Sequence, residues 1–265
     1  LASRWFPPTK MAQITGVTVT MAMLGGAMSQ EPLAQLISVY GWRETLIMDT
    51  FLGVALFLVM YAIIQNYPDN IEAPKPNTEP ILDSYIKAAS NPQNIYCGIY
   101  TSLMNLFIFV LGAAWGVNYL QHVYNFDYTT ASRITTMLFF GTIVGSPLAG
   151  FISDKLRKRR ALMIAGAIVS FALALVLLFL RVDLNATQLA VIFFTVGVTT
   201  STQILTYPVI FESNPPHLTG TSEGLAAVFI MSGGAIFQPL FGWMISKHWD
   251  GSLADGIPKY SGGDY

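Results

Sequence analysis

Residues 154–180 read DKLRKRRALMIAGAIVSFALALVLLFL: Asp154, then the cations Lys155, Arg157, Lys158, Arg159 and Arg160, then a charge-free run from Ala161 to Leu180. A helix of about 20 residues rises about 30 Å, the thickness of a bilayer's hydrocarbon core. A helix apolar on every side has no face for water, so this run reads as a membrane span. The basic block ahead of it fixes the sidedness, because short cytoplasmic loops carry the excess of Lys and Arg.

Working outward, comparable runs lie near 11–39, 44–66, 95–122, 131–153, 186–211 and 221–246, which with 161–180 makes seven. An odd number puts the two ends of the chain on opposite sides of the membrane. Composition agrees: 53% of the residues are hydrophobic and only 11% charged, against roughly 25% charged in a soluble globular domain. With the N-terminus inside, Arg4, Lys10, Lys75, Lys87 and the five cations of 155–160 are cytoplasmic. Arg43, Arg133, Arg181, Lys247 and Lys259 are then external. A net charge of -1 offers no general attraction for nucleic acid.

From Pro68 to Pro92 the pattern breaks, with Pro74, Pro76 and Pro80 among acidic and amide residues, and the stretch reads as a solvated linker. Its middle, 81–89, has the pattern of a short amphipathic helix lying along the surface. The first residue is Leu and no leader precedes the first span, so we expect a chain cut at its start.

The turn Gly150-Phe-Ile-Ser-Asp154-Lys155-Leu-Arg-Lys158-Arg159-Arg160 resembles the G-x-x-x-D-[RK]-x-x-[RK]-[RK] loop of major facilitator superfamily transporters. That family usually has Gly between the Asp and the basic pair, where this chain has Leu156 and Arg157. Arg4-Trp-Phe-Pro-Pro8, Gly41-Trp42-Arg43 and Pro208–Gly224 resemble three further turns of the family, in the correct order. The resemblance implies an all-α, polytopic, partial major facilitator fold, its spans matching family helices five to eleven, with helices one to four and twelve missing. Residues 1–67 are then the last two helices of the N-terminal half, 68–94 the cytoplasmic linker, and 95–265 the C-terminal half without its last helix. It further implies a conformational gate at Gly150, Asp154, Lys155, Arg159 and Glu212: Gly150 lets helices approach, Asp154 faces a helix N-terminus, and Glu212 pairs with the basic cluster.

An ionisable group at membrane depth is costly and therefore a functional candidate. Glu31, beside Gln30 and Pro32 toward the outer half of the first span, is the clearest and is a candidate proton carrier; the competing reading is a wet, structural carboxylate. Asp49 suits a structural partner such as Arg43, and Glu223 the first turn of a helix. Asn105, Trp115, Asn118, Gln203 and Tyr207 lie on helices that line the cavity in the family, and Gln238-Pro239 marks a kink in the seventh span.

Other classes lack their chemistry. A lone Cys97 suits packing; His122, His217 and His248 sit at span ends, where they form neither a metal site nor a nucleophile and base. No phosphate loop of the G-x-x-x-x-G-K-[ST] type occurs. A seven-helix receptor or pump matches the count, but the basic cluster opposes its usual orientation and no Lys sits mid-way along the last span. The expectation is a secondary transporter, not an enzyme, in a bacterial inner membrane. It needs no cofactor and no metal, moves a small solute with protons by alternating access, and is monomeric at full length.

Overall fold

The computed structural model describes residues 5–7, 10–28, 31–65, 80–179, 184–248, 253–254 and 257–258. In chain order the elements are α1 (Met11–Met28), α2 (Glu31–Tyr40), α3 (Trp42–Ile63), α4 (Ile81–Ser90) and α5 (Pro92–Leu106). A π-helical stretch, Phe107–Trp115, joins α5 to α6 (Gly116–Tyr124). Then follow α7 (Tyr128–Leu156), α8 (Arg159–Phe179) and α9 (Ala186–Thr200), a 3-10 turn (Ser201–Leu205), α10 (Thr206–Ser213) and α11 (Thr219–His248). A two-residue ladder, β1 (Leu253–Ala254) against β2 (Ile257–Pro258), follows. Among the described residues, seven helices are long and apolar enough to cross a membrane: α1, α3, Pro92–Tyr124, α7, α8, Ala186–Ser213 and α11.

Asparagine and aspartate set where several of these begin. Asn91 caps α5 by accepting from the Gln93 amide, with Pro92 at the first helical position, where no N–H is needed. Asp127 caps α7 through the Thr130 amide at 3.1 Å, and Asn185 and Gln188 form a reciprocal capping box on α9. These caps start the spans at 92 and 128, three residues earlier than apolarity alone places them. The run at 11–39 is two helices. Pro32 fits the first turn of a new helix, so Glu31 opens α2 and lies beyond the span that ends at Met28. Glu31 is described by its backbone only, Gln30 lies outside the described residues, and so does the linker over 66–79. The amphipathic segment at 81–89 is present as α4.

The closest packing runs through α7, which meets α9 on one side and α1 on the other, while α5 pairs with α11. Small residues permit this. A Cβ on Gly197 would collide with the Leu138 carbonyl of α7, and one on Gly150 would lie 2.5 Å from the Ala12 carbonyl of α1. Helix association in lipid rests on such close approach, since hydrocarbon is as apolar as leucine. The main cluster of Leu120, Leu138, Leu189 and Phe193 is fully buried. By contrast α3 shows Phe51 and Tyr61 at 72% and 82% exposure, apolar all round, as a helix solvated by lipid is.

Candidate functional site

At the end of the bundle where α7 turns into α8, four segments meet on charged and polar groups. Arg157 terminates α7 in the left-handed region, φ 52°, ψ 30°, and its amide donates to the Ser153 carbonyl. This reversal brings the start of α8 back over Asp154. Arg159 donates through Nη1 to Asp154 Oδ1 at 3.1 Å and to Ser153 Oγ at 3.2 Å. Its Nε donates to both carboxylate oxygens of Glu212 at 3.1 Å, and its Nη2 to Oε1 at 2.7 Å, a bidentate clamp on the last turn of α10. Asp154 Oδ2 in turn accepts from the Gln13 amide of α1 at 3.2 Å, one of the first-turn N–H groups without an intrahelical partner.

One guanidinium thus ties α7, α8 and α10, and through Asp154 also holds α1. The side chains of Asp154 and Arg159 are 5% and 15% exposed, so this pair is largely desolvated, whereas Glu212 is 47% exposed. Gly150 lies one turn before Asp154 on the face that meets α1. Lys155 is exposed beside the network. Glu223 stands in the second turn of α11, past the first-turn N–H groups it was expected to serve, because Thr219 starts the helix earlier.

Midway along the bundle the polar groups are neutral. Asn105 Nδ2 donates to Gln203 Oε1, joining α5 to the 3-10 turn, and Gln203 is buried. Thr101 and Thr206 share a hydrogen bond at 2.7 Å beside them. Gln238 Nε2 donates to the Phe109 carbonyl at 2.8 Å, inside the π-helical stretch, so α11 supplies that widened turn with an external donor. Trp115 closes the stretch edge-on to Phe241, with ring centroids 5.8 Å apart. Tyr207 is half-buried on α10, and Asn118 is exposed on α6. The structure therefore brings Asn105 to Gln203, and Arg159 to Asp154 and Glu212. Arg43 lies over the Trp42 ring at 4.8 Å, with no ion pair to Asp49.

One cluster escapes sequence reasoning. Asn94, wholly buried, donates to the Ala88 carbonyl at 2.8 Å, Asn214 Oδ1 at 3.0 Å and Ser222 Oγ at 3.1 Å, while Asn214 donates back at 2.7 Å. It knots α4, α5, α10 and α11 together. The signal available was Asn91-Pro92-Gln93-Asn94, a cap followed by an amide one turn into a helix, which is hidden when the stretch is taken as linker.

The sequence model of the Major Facilitator Superfamily matches residues 1–247. The chain belongs to that superfamily. Its relatives include the hexuronate transporter of Bacillus subtilis, 24% identical over 169 residues, which are 61% of this chain and 39% of that protein. The membrane sensor protein UhpC of Salmonella typhimurium is 24% identical over 96% of this chain and 62% of its own length. The sialic acid transporter NanX of Escherichia coli is 24% identical over 92% of this chain and 59% of its own. The chain spans less than two thirds of each. Superfamily membership and the seven apolar helices make it a multi-pass, all-α integral membrane protein with a partial major facilitator fold, of the bacterial inner-membrane kind. The superfamily's usual Gly in the α7–α8 turn also acquires a reason. This chain puts Arg157 in a left-handed cap that glycine adopts without Cβ strain.

Proposed function

We propose that the protein containing this chain is a secondary transporter that moves a small organic anion by alternating access. The α7–α8 turn is its inner gate and the neutral amides of α5, α10 and α11 form part of the solute's path. The observation that carries this reading is the Arg159 bridge. It joins Asp154 and Glu212 across three helices and reaches the N-terminus of α1, so releasing one side chain frees four segments at once. In the superfamily these segments come from both half-bundles, α1 from the first and α7 to α10 from the second. With the basic loop cytoplasmic, an intact bridge corresponds to a closed inner end.

Three transporter-named relatives supply the solute class: a hexuronate transporter, a sialic acid transporter and a probable sulfoacetate transporter of Cupriavidus necator, 23% identical over 66% of this chain. All three named solutes are small acids. Asn105, Gln203, Gln238 and Tyr207 suit the neutral, hydroxyl-bearing part of a sugar acid such as the first two, binding it by hydrogen bonds it can leave. Proton coupling, as part of this proposal, rests on Glu31, the first residue of α2, which follows α1 in the chain. Reconstituted protein from the full reading frame should take up labelled glucuronate, sialic acid or sulfoacetate, faster at an external pH of about 5.5 than at 7.5, because the inward proton gradient drives a proton-coupled carrier. Glu31→Gln should abolish the pH dependence; a dependence that survives removes Glu31 from coupling, and no uptake of any of the three removes the solute class.

A second reading has its own observation. UhpC, a membrane sensor by name, matches 96% of this chain, so solute binding could drive a signal instead of net movement. Binding of a solute with no uptake would select this alternative.

A further inference from the structure

Beside the gate, on the outer flank of the bundle, a groove of about 870 Å³ opens between α5 and α8. Its mouth carries Arg157, Arg160 and the paired Arg159 and Glu212, and its walls follow the apolar faces of α5 and α8. Arg160, Ile164 and Ile168 stand at i, i+4 and i+8, one above the other on a single face of α8. Ile164 and Ile168 are 48% and 63% exposed, and Tyr96 on the α5 wall is 68% exposed. From Arg160 to Ile168 the helix rises about 12 Å, so the cation lies at the interface while the isoleucines lie at acyl-chain depth. The floor offers no competing polar demand: Tyr100 Oη already donates to the Met163 carbonyl at 2.9 Å and shares a bond of 2.8 Å with Thr202.

Charge decides the occupant. Arg159 at the mouth is neutralised by Asp154 and Glu212, but Arg157 and Arg160, which line the groove with it, have no carboxylate within ion-pairing distance among the described residues. Two unpaired guanidinium groups over an apolar slot complement an anionic headgroup carried on acyl chains. A free aqueous anion would gain nothing from Ile164, Ile168 and Tyr96. A zwitterionic lipid would gain nothing from the net charge. We propose that this groove is a binding site for one anionic phospholipid of the inner leaflet, its phosphate held by Arg157 and Arg160 and one acyl chain lying between α5 and α8. The site adjoins the gate, since Arg159 and Glu212 also line the groove, whereas Asn105, Gln203, Tyr207 and Gln238 do not.

The test uses the purified full chain in neutral detergent and counts bound lipid by native mass spectrometry. The probes are dioctanoyl phosphatidylglycerol, dioctanoyl phosphatidylcholine and inorganic phosphate. Phosphatidylglycerol should bind about 25-fold more tightly than phosphatidylcholine, about five-fold for each of two guanidinium groups, and phosphate alone should not displace it. Arg157→Gln with Arg160→Gln should erase that preference, and Ala167→Trp, which fills the groove and leaves every charge, should weaken phosphatidylglycerol about ten-fold by excluding its chain. Equal binding of the two lipids would overturn the proposal, as would displacement by phosphate at matched concentration. An unchanged preference in the double variant, or undiminished binding in Ala167→Trp, would do the same.

Discussion

The inner end of the bundle and its middle handle polarity in opposite ways. At the α7–α8 turn, full charges are brought together, and Arg159 makes charge-assisted bonds to Asp154 and Glu212. Halfway along, Asn105, Gln203 and the Thr101–Thr206 pair are neutral and linked to one another, Asn105 donating also to the Thr101 carbonyl and Thr206 to the Gln203 carbonyl, while Gln238 bonds to the Phe109 carbonyl. The difference follows from solvent. At the interface a guanidinium keeps some water and its desolvation is shared by two carboxylates, whereas in the hydrocarbon even one charge costs several kcal/mol. The charged end is therefore a strong, cooperative latch, and the middle is a set of weaker, neutral contacts.

The most severe way to break that contrast is to remove the latch. Arg159→Ala leaves Asp154 largely buried and short of its cation, and should destabilise the detergent-solubilised protein by about 3 kcal/mol, measured by thermal unfolding. Arg159→Lys should recover only part of this, because an ammonium does not make the bidentate clamp on Glu212. Next comes Gly150→Val, which presses side-chain atoms against the Ala12 carbonyl and should cost about 2 kcal/mol by forcing α1 away from α7. In the middle, Gln203→Leu should cost only about 1 kcal/mol in the same measurement while abolishing solute binding, which separates path from latch.

Two smaller effects sharpen the picture. Arg157→Gly relieves the left-handed cap at φ 52° and should raise stability by about 1 kcal/mol, an unfolding shift opposite in sign to that of Arg159→Ala. At the other end, the Asp127 carboxyl is held below its usual range by hydrogen bonds from the Thr130 side chain and amide. Its folded value is depressed, so the stabilisation it gives is present above the unfolded pKa of about 3.9 and is lost as pH falls through the lower, folded value. Acid unfolding of Asp127→Asn should lack that component, and because the group is exposed the difference should be small.

These same regions show what a sequence displays. The eighth helix is readable at sight because its charge-free run and basic flank are local properties, and the seven spans follow by the same rule. Boundaries were less legible where a polar cap replaces an apolar residue, as at Asn91 and Asp127, since a cap serves the backbone and not the lipid. Glu31 falls just past the first span and not inside it, since Pro32 reads equally as a bend within a span and as the first turn of a new helix. The basic cluster was visible as a cluster, but which of five cations meets Glu212 depends on a contact 53 residues distant. That choice is made by the left-handed turn at Arg157, which aims Arg159 inward and leaves Arg157 and Arg160 outside. Asn94 was invisible for a related reason: its three acceptors come from three different segments.

The latch is tested most directly by the distance between spin labels at Lys10→Cys and Arg160→Cys in a Cys97→Ser background, read by double electron–electron resonance with Arg159 intact and with Arg159→Ala. The account predicts a single short population for the intact protein and a shift to longer distances when Arg159 is removed, as α1 parts from the α7–α8 turn. Identical distributions in the two proteins would contradict it, for the inner end would then be held closed by something other than the Asp154–Arg159–Glu212 bridge.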